Sequence, residues 1–474
     1  MTEVLKPDVC VIGAGSAGLV VAAGASQMGA EAVLIEKGKM GGDCLNYGCV
    51  PSKALLAAGK AAVAGKSSAT FGIDYTAPSV DFGRVRDHVH SVIDGIAPVD
   101  SVERFEGLGV KVIKASARFV SPKEVVAGEQ RIRARRFVIA TGSGPLVPPI
   151  PGLDQVPYLT NETVFDLAER PRRLLVIGGG AIGCELGQAF RHLGSEVVIL
   201  EMATILPKDE PEAVALLRQD LLRDGVELQE GSQVTRVEAG GAGIIVHTER
   251  DGAAGQVEGD ALLVAAGRKA GVEDLGLEEA GVTYDRRGVT VDARLRSSNK
   301  KIYAIGDVAG GLQFTHVAGY HAGVALKNIL FRLPAKADNP AIPWVTYTEP
   351  EVAQVGLTEA QAREAGGGIR VLRWPFAEND RAQAERLGRG LIKVITTTKG
   401  KVLGCTIVGA HAGELILPWV LAISQGLKIG AMAQAVAPYP TFSEVSKRAA
   451  GSFYTPTLFS ERTRRLVRFL RIFG

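Results

Sequence analysis

Short apolar runs that stop at a glycine recur along this chain. "DVCVIGAGSAGLVVAAGASQMGAEAVLIEK" (Asp8–Lys37) opens as a buried strand, turns at glycine, continues at helical spacing and closes on a second apolar strand. "RLLVIGGGAIGCELGQAFRHLGSEVVILEM" (Arg173–Met202) repeats the pattern about 165 residues later. Each stretch has the size of one βαβ unit, and their separation predicts two nucleotide-binding domains, not a short tandem repeat. Three further strands end alike: "RFVIATGS" at Ala140-Thr141-Gly142, "ALLVAAGR" at Ala266-Gly267-Arg268, and "NKKIYAIGDVAGG" at Gly306-Asp307, which a helical stretch follows. "PLVPPIPGLDQVP" (Pro145–Pro157) and "RLPAKADNPAIP" (Arg332–Pro343) read as linkers. Beyond them come shorter strands and one long apolar helix, "GELILPWVLAISQGLKIGAMAQ". The fold class is α/β, with two Rossmann-like dinucleotide-binding domains and a C-terminal α+β domain. Boundaries near 150, 268 and 340 make 1–149 and 268–340 one domain, interrupted by 150–267 and followed by 341–474.

Composition narrows this picture a little. A length of 474 residues suits about three domains. A formal charge of +3 gives no whole-protein case for nucleic acid or a membrane surface. No uninterrupted apolar run is long enough to span a bilayer. Val9–Ala25 could pass for a signal-peptide core, but Asp8 precedes it and its glycines have a better reading. Five cysteines are too few, and odd in number, for a secreted disulfide scaffold. A reducing compartment, the cytoplasm, is expected.

Gly13, Gly15 and Gly18 have the GxGxxG spacing. The first glycine makes the tight turn, the second admits a pyrophosphate to the backbone, and the third lets helix and strand pack closely. The helix N-terminus offers free N–H groups to the phosphates. Glu36, 23 residues after Gly13, can accept from ribose hydroxyls. The second loop, Gly178, Gly180 and Gly183, has Glu201 at the same distance. A carboxylate there repels a 2′-phosphate, which favours NAD(H) over NADP(H). Two such sites suit one tightly held cofactor and one exchanging cofactor, an FAD that takes a hydride from NADH.

"GGDCLNYGCVPSK" (Gly41–Lys53) carries Cys44 and Cys49. A zinc site wants four N/S ligands in close spacing, which the other cysteines and seven histidines do not supply, so no metal is expected. A static disulfide over so small a loop constrains the unfolded chain little. A redox pair has a local mechanism. "CVPSKALLAAGKAAVAG" reads as a helix with Pro51 in its first turn, so Cys49 lies at a helix N-terminus that favours the thiolate. Five positions of regular helix rise about 7.5 Å, beyond disulfide reach, so Cys44 is expected in distorted backbone freed by Gly41, Gly42 and Gly48. Cys10, Cys184 and Cys405 fall in apolar patterns and are expected to be buried. His88 and His90 are expected at the surface, and His411 in a structural role.

Together these motifs resemble the class I pyridine nucleotide–disulfide oxidoreductases, the family of glutathione reductase, dihydrolipoamide dehydrogenase and mercuric reductase. The resemblance covers essentially the whole chain. Its most specific part is Gly41–Lys53, near-identical to GG-x-C-x-N-x-G-C-x-P-x-K. It implies that 1–149 and 268–340 bind FAD, that 150–267 binds NAD, and that 341–474, opening with "TYTEPEVAQVGLTEAQA", forms a homodimer whose active sites borrow partner residues. By the same resemblance Cys49 faces the flavin as a charge-transfer thiolate and Cys44 exchanges with substrate. Lys53 sits by the flavin N5 side and pairs with Glu185, and Asp307 meets the ribityl chain. Expected FAD ligands are Gly13, Gly15, Gly18, Glu36, Lys37, Gly42, Lys53, Thr141, Gly142, Asp307 and His316; for His316, helix packing is the competing reading. Expected NAD ligands are Gly178, Gly180, Gly183, Glu201 and Gly267.

One motif departs. The disulfide-reducing branches carry His-Pro-Thr-x-x-Glu near the C-terminus, and the histidine, held by the glutamate, shuttles the thiol proton. Here "YPTFSE" keeps Glu444 but has Tyr439 in the histidine's place, and the last histidine is His411. Tyrosine titrates near ~10, and loss of such a base costs a factor of about 10²–10⁴. Mercuric reductases also carry tyrosine there, yet end in a cysteine pair that "RRLVRFLRIFG" does not contain, and no N-terminal metal-binding extension is expected. The implied activity is FAD-dependent NAD(P)H:disulfide oxidoreduction of the dihydrolipoamide dehydrogenase kind. The alternatives are mercuric reductase-like reduction of a metal ion or other electrophile, and a redox-sensing flavoprotein with little turnover. Arg381 is a candidate substrate contact. Arg462–Phe473 sets five arginines among apolar residues; packing on its own dimer is expected, with peripheral contact to anionic lipid as the second reading.

Overall fold

Alternation along single strands determines the first sheet. In Val9–Ile12, Val9 and Val11 join one buried cluster with Leu34 and Val138, while Cys10 and Ile12 join another with Val33, Ile35, Phe137 and Ile139. Both faces are covered, which is the condition for a parallel sheet. Its order is Ile302–Ala304, Arg136–Ile139, Val9–Ile12, Ala32–Glu36, Lys111–Lys114, all parallel. Helices Ser16–Gln27 and Thr315–Leu330 pack together, and both contribute to the first of these clusters. The computed structural model describes residues 4–241 and 243–474.

The second glycine motif builds a four-stranded parallel sheet, Val226–Glu230, Glu196–Glu201, Arg173–Ile177, Ala261–Val264, with helix Ala181–His192 following its central strand. Three antiparallel strands, Gln233–Gly240, Gly243–Arg250 and Ala253–Gly259, add a sheet that the glycine pattern does not announce. All of this lies in one compact unit, the described residues of Met1–Ala203 together with Val226–Asp338.

The second unit is Asn339–Gly474 with Thr204–Gly225, a segment taken from within the stretch expected to be the second nucleotide domain. Its sheet is antiparallel, in the order Pro343–Thr346, Glu351–Gly356, Val402–Gly409, Leu391–Thr397, Ile369–Pro375. The long apolar helix expected over "GELILPWVLAISQGLKIGAMAQ" is three short ones, Ala412–Leu415, Leu417–Ser424 and Ile429–Gln434. Pro418 starts the second of these, and Gly426, at φ +63°, ends it in the left-handed turn that glycine tolerates.

A buried cation ties helix Pro211–Asp224 into this unit. The ammonium of Lys393, 3% exposed, lies 2.7 Å from Glu210, 2.6 Å from Glu212 and 2.7 Å from Glu359. The three carboxylates are close enough to hold a metal ion, and the cation among them is the lysine. Burial lowers the pKa of Lys393, but the bonds to Glu210, Glu212 and Glu359 outweigh it and raise it. The bond from Lys393, aided by Arg363, pulls Glu359 down to about 2. Its folded pKa is depressed, so the stability it contributes is complete above about 4.5 and is lost as pH falls toward 2. Lys393→Met leaves the carboxylates, among them buried Glu210, without their cation and is expected to cost this unit about 3–5 kcal/mol. Tryptophan fluorescence during urea unfolding reads it directly, since Trp344, Trp374 and Trp419, all the protein's tryptophans, lie here. An unchanged midpoint contradicts this role.

Candidate active site

The two glycine loops adopt one geometry. Gly13 has φ +106° and Gly178 φ +110°, and a Cβ on either would strike a carbonyl oxygen, Ala140 O at 2.4 Å or Ala265 O at 2.5 Å. A Cβ on Gly18 or Gly183 would lie 1.9 Å from the first glycine's own oxygen, so the helix can start this close to the strand only at glycine. Glu36 accepts from Ala14 N–H at 2.6 Å and Gly38 N–H at 2.6 Å. Glu201 accepts from Gly179 N–H at 2.7 Å and Ala203 N–H at 2.9 Å. Neither helix start carries a side-chain cap, and the space beside Gly180 is open. Open N–H groups beside an anchored carboxylate suit a dinucleotide at both places. Gly42, at φ +60°, lies so close to Gly15 that its Cβ would be 2.6 Å from Gly15 Cα, so only backbone separates the first loop from the cysteine segment. Thr141 Oγ1 donates to Gly271 O at 2.6 Å, Gly142 has φ +66°, and Gly267 has φ +131°. Lys37 is exposed.

Cys44 does not lie in irregular backbone. It sits in a separate short helix, Gly42–Asn46, whose entry uses positive φ at Gly41 and Gly42. Gly48 has φ −125° and ψ −111°, neither helical nor extended, and a Cβ there would lie 2.9 Å from Asp43 Oδ2 and 3.1 Å from Asp43 O. Breaking the helix after Asn46 brings the sulfurs within hydrogen-bonding reach, which one continuous helix would prevent. Cys49 is the first residue of helix Cys49–Val63. Its Sγ lies 3.4 Å from Thr315 Oγ1, and Thr315 is the first residue of helix Thr315–Leu330. Two helix N-termini therefore meet at one sulfur. The hydrogen bond from Cys44 chiefly draws the Cys49 thiol down to about 6, with Thr315 and the Lys53 charge pushing the same way against desolvation and Asp43. Cys44 moves oppositely: its bond to the Cys49 thiolate and its burial raise it well above an ordinary thiol. The proton thus belongs on Cys44 and the charge on Cys49.

Lys53, one turn along the same helix, reaches Glu185 at 2.7 Å, and Glu185 is buried on helix Ala181–His192. Asp43, inside the cysteine motif, accepts from Asn161 Nδ2 at 3.0 Å and pairs with Arg268 at 3.0 Å. Arg268 Nε donates to Ser143 Oγ at 2.8 Å, and Ser143 donates to Asp307 at 2.5 Å. Burial raises Asp307, with Ser143 and Arg268 opposing. His316 is exposed and stacked on Phe314, while His321, whose pKa burial lowers, accepts from Gly306 N–H at 3.2 Å. Thr315, Asp43, Arg268, Ser143 and His321 all sit within a few residues of motifs the sequence singles out, but no spacing joins Cys49 to Thr315.

In the second unit Tyr439 is 70% exposed and its O–H donates to Asp380 Oδ2 at 2.9 Å. The bond to Asp380 raises its pKa, and the charges of Asp380 and Glu444 add to the rise. Glu444 begins helix Glu444–Ser452. Arg381 is engaged by Glu385 one turn on, and His411 stacks edge-on to Phe442. Cys10, Cys184 and Cys405 are buried, His88 is exposed, and His90 pairs with Asp166.

Residues 7–322 match the family described as pyridine nucleotide-disulphide oxidoreductase, and 342–450 match its dimerisation domain. The chain belongs to this family: it is an FAD-dependent pyridine nucleotide–disulfide oxidoreductase that uses NAD(P)H and forms a homodimer. It is 37% identical to a mercuric reductase of Bacillus cereus over 94% of this chain and 71% of that protein. It is also 37% identical to the dihydrolipoyl dehydrogenase of Bacillus subtilis (strain 168), over 94% and 96%. The structure of the HOCl-induced flavoprotein disulfide reductase RclA from Escherichia coli superposes with a TM-score of 0.85 at 28% identity, covering 94% of this chain and 99% of that one. No helix among the described residues is long and apolar enough to cross a membrane.

In the reduced protein, alkylation of Cys49 by iodoacetamide, followed by peptide mass spectrometry, is expected to rise around a midpoint near pH 6, with the thiolate lost below it. Cys44→Ala removes the largest contribution and moves the midpoint up toward about 8.5; Lys53→Met moves it the same way by less. A midpoint near ~8.5 in the unaltered protein contradicts the assignment.

Proposed function

We propose that this enzyme carries two electrons from NADH to a small electrophile held at Cys44, and that a thiophilic metal ion suits the site better than a disulfide. The observation that carries this is the bond of Tyr439 O–H to Asp380, which keeps the residue in the histidine's place protonated at neutral pH more firmly than free tyrosine, so it offers no free base there. A disulfide acceptor needs protons moved on and off sulfur at neutral pH, whereas reduction of a metal ion at a thiolate needs electrons and a ligand exchange. The mercuric reductase relatives, and a second RclA structure described as a Cu(II) complex, are of the same tendency. Dihydrolipoyl dehydrogenases match equally well, and the thiolate at Cys49 favours a disulfide acceptor as the second reading.

In this reading 1–149 with 268–340 hold FAD, 150–267 holds the nicotinamide nucleotide, and 341–474 pairs two chains so that Tyr439 serves the partner's cysteines. Bound FAD supplies the passage of two electrons from nicotinamide to the cysteine pair. The chain's own residues do the rest. The glycine loops hold the pyrophosphates, Lys53 and Glu185 place a fixed charge beside the reacting atoms, and Asp307 orients the ribityl chain. Cys49 keeps its charge under Thr315 and Lys53, and Cys44 keeps its proton until the acceptor displaces it. Glu201, its carboxylate fixed by two N–H groups, selects NADH. The cytoplasm supplies the reduced pool this requires.

With the purified yellow protein, NADH oxidation is expected to exceed the no-acceptor control with Hg(II) supplied as a thiol complex, and to stay near it with lipoamide. Tyr439→His is expected to raise lipoamide turnover by a factor of about 10². Brisk lipoamide turnover by the unaltered protein overturns the metal reading. Glu201→Gln should narrow the preference for NADH, measured as the ratio of kcat/KM values; an unchanged ratio removes Glu201 from cofactor selection.

A further inference from the structure

We propose that helix Glu461–Leu470, with the turn Arg471–Phe473 after it, docks the enzyme on an anionic phospholipid surface. The segment is amphipathic from Arg464 to Arg471; Arg462, one turn earlier, falls within the apolar arc, and Ile472 falls among the arginines. At 100° per residue Leu466, Val467, Phe469, Leu470 and Phe473 fall on one continuous arc, and Arg464, Arg465, Arg468 and Arg471 fall opposite. The five apolar side chains are each between 52% and 73% exposed among the described residues. Glu461 is the one acid in the segment; it engages Arg468 and, at 3.8 Å, Arg465. Arg462, Arg464 and Arg471 have no carboxylate partner among the described residues.

Charge opposes packing of this helix on its own copy and favours an anionic surface. A second copy of the helix would bring an equally cationic segment against it, with one glutamate on each side to answer five arginines. An anionic lipid surface satisfies both faces at once. The leucine, valine and phenylalanine side chains enter the acyl boundary, and the guanidinium groups reach up along their stems to the phosphates. The attraction falls with ionic strength. The segment is too short and too charged to cross a bilayer, so contact is peripheral. This inference does not rest on the acceptor proposed above.

The test is sedimentation of the full-length FAD-loaded enzyme with vesicles of phosphatidylcholine and phosphatidylglycerol, beside vesicles of phosphatidylcholine alone. Binding is expected to the anionic vesicles only and to weaken as salt rises. Phe469→Glu with Leu470→Glu, or Arg464, Arg465 and Arg468 each to Gln, should weaken it by about tenfold or more, with flavin content, NADH oxidation and dimer mass unchanged. Failure of the unaltered protein to sediment with anionic vesicles overturns the proposal, as does equal sedimentation of the variants. Conversion of the dimer to monomers by the double glutamate variant, with no lipid binding by the unaltered protein, assigns the face to a second copy instead.

Discussion

A negative charge on the Cys49 sulfur is the constraint around which the first unit is built. Cys49 is exposed in the chain, yet the atoms packed around its sulfur still cost a charge there some solvation, and other groups offset that cost. Those groups are a thiol proton from Cys44, a hydroxyl from Thr315, the ammonium of Lys53 and the starts of two helices. Lys53 is itself paired at 2.7 Å with buried Glu185, which holds the cation on this side of the helix. Asp43 works against the thiolate, yet Arg268 and Asn161 take up its charge. The same Arg268 reaches Ser143 and, through it, Asp307, which joins the cysteine segment to the strand end where the ribityl chain is proposed to lie.

Much of this could be read along the chain, and the reason is local. A tight strand-to-helix turn forces glycine at Gly13, Gly18, Gly178 and Gly183, because a Cβ would overlap a carbonyl there, so their spacing reports geometry directly. The burial of both sheet faces forces the apolar runs, and a cysteine at a helix start is visible as soon as the helix is. The meeting of Lys53 with Glu185, 132 residues apart, was available only through family resemblance. Thr315 at Cys49, 266 residues away, was not available at all, because no local pattern encodes which helix a sheet brings to a given strand end.

The second unit was less legible for the same reason. One apolar stretch reads as one helix until Pro418 and Gly426 are given their weight. Helix Pro211–Asp224 reads as part of a nucleotide domain by chain order, whereas the cage around Lys393 and the pairs Arg389–Asp220 and Arg373–Glu212 tie it to the second unit. Tyr439 reads as a lost histidine beside its glutamate, whereas its partner, Asp380, lies 59 residues earlier in the chain. In the last two cases the missing information is a polar contact across many residues, which hydrophobic period does not carry.

Every role assigned to the cysteine pair depends on which sulfur carries the charge. The direct measurement is the long-wavelength charge-transfer absorbance of the purified flavoprotein during anaerobic reduction, compared with the Cys44→Ala and Cys49→Ala variants. The account predicts the band in the unaltered protein and in Cys44→Ala at alkaline pH, and its loss in Cys49→Ala. A band that persists in Cys49→Ala, or one that disappears only with Cys44, would place the thiolate on the other cysteine and contradict the assignment made here.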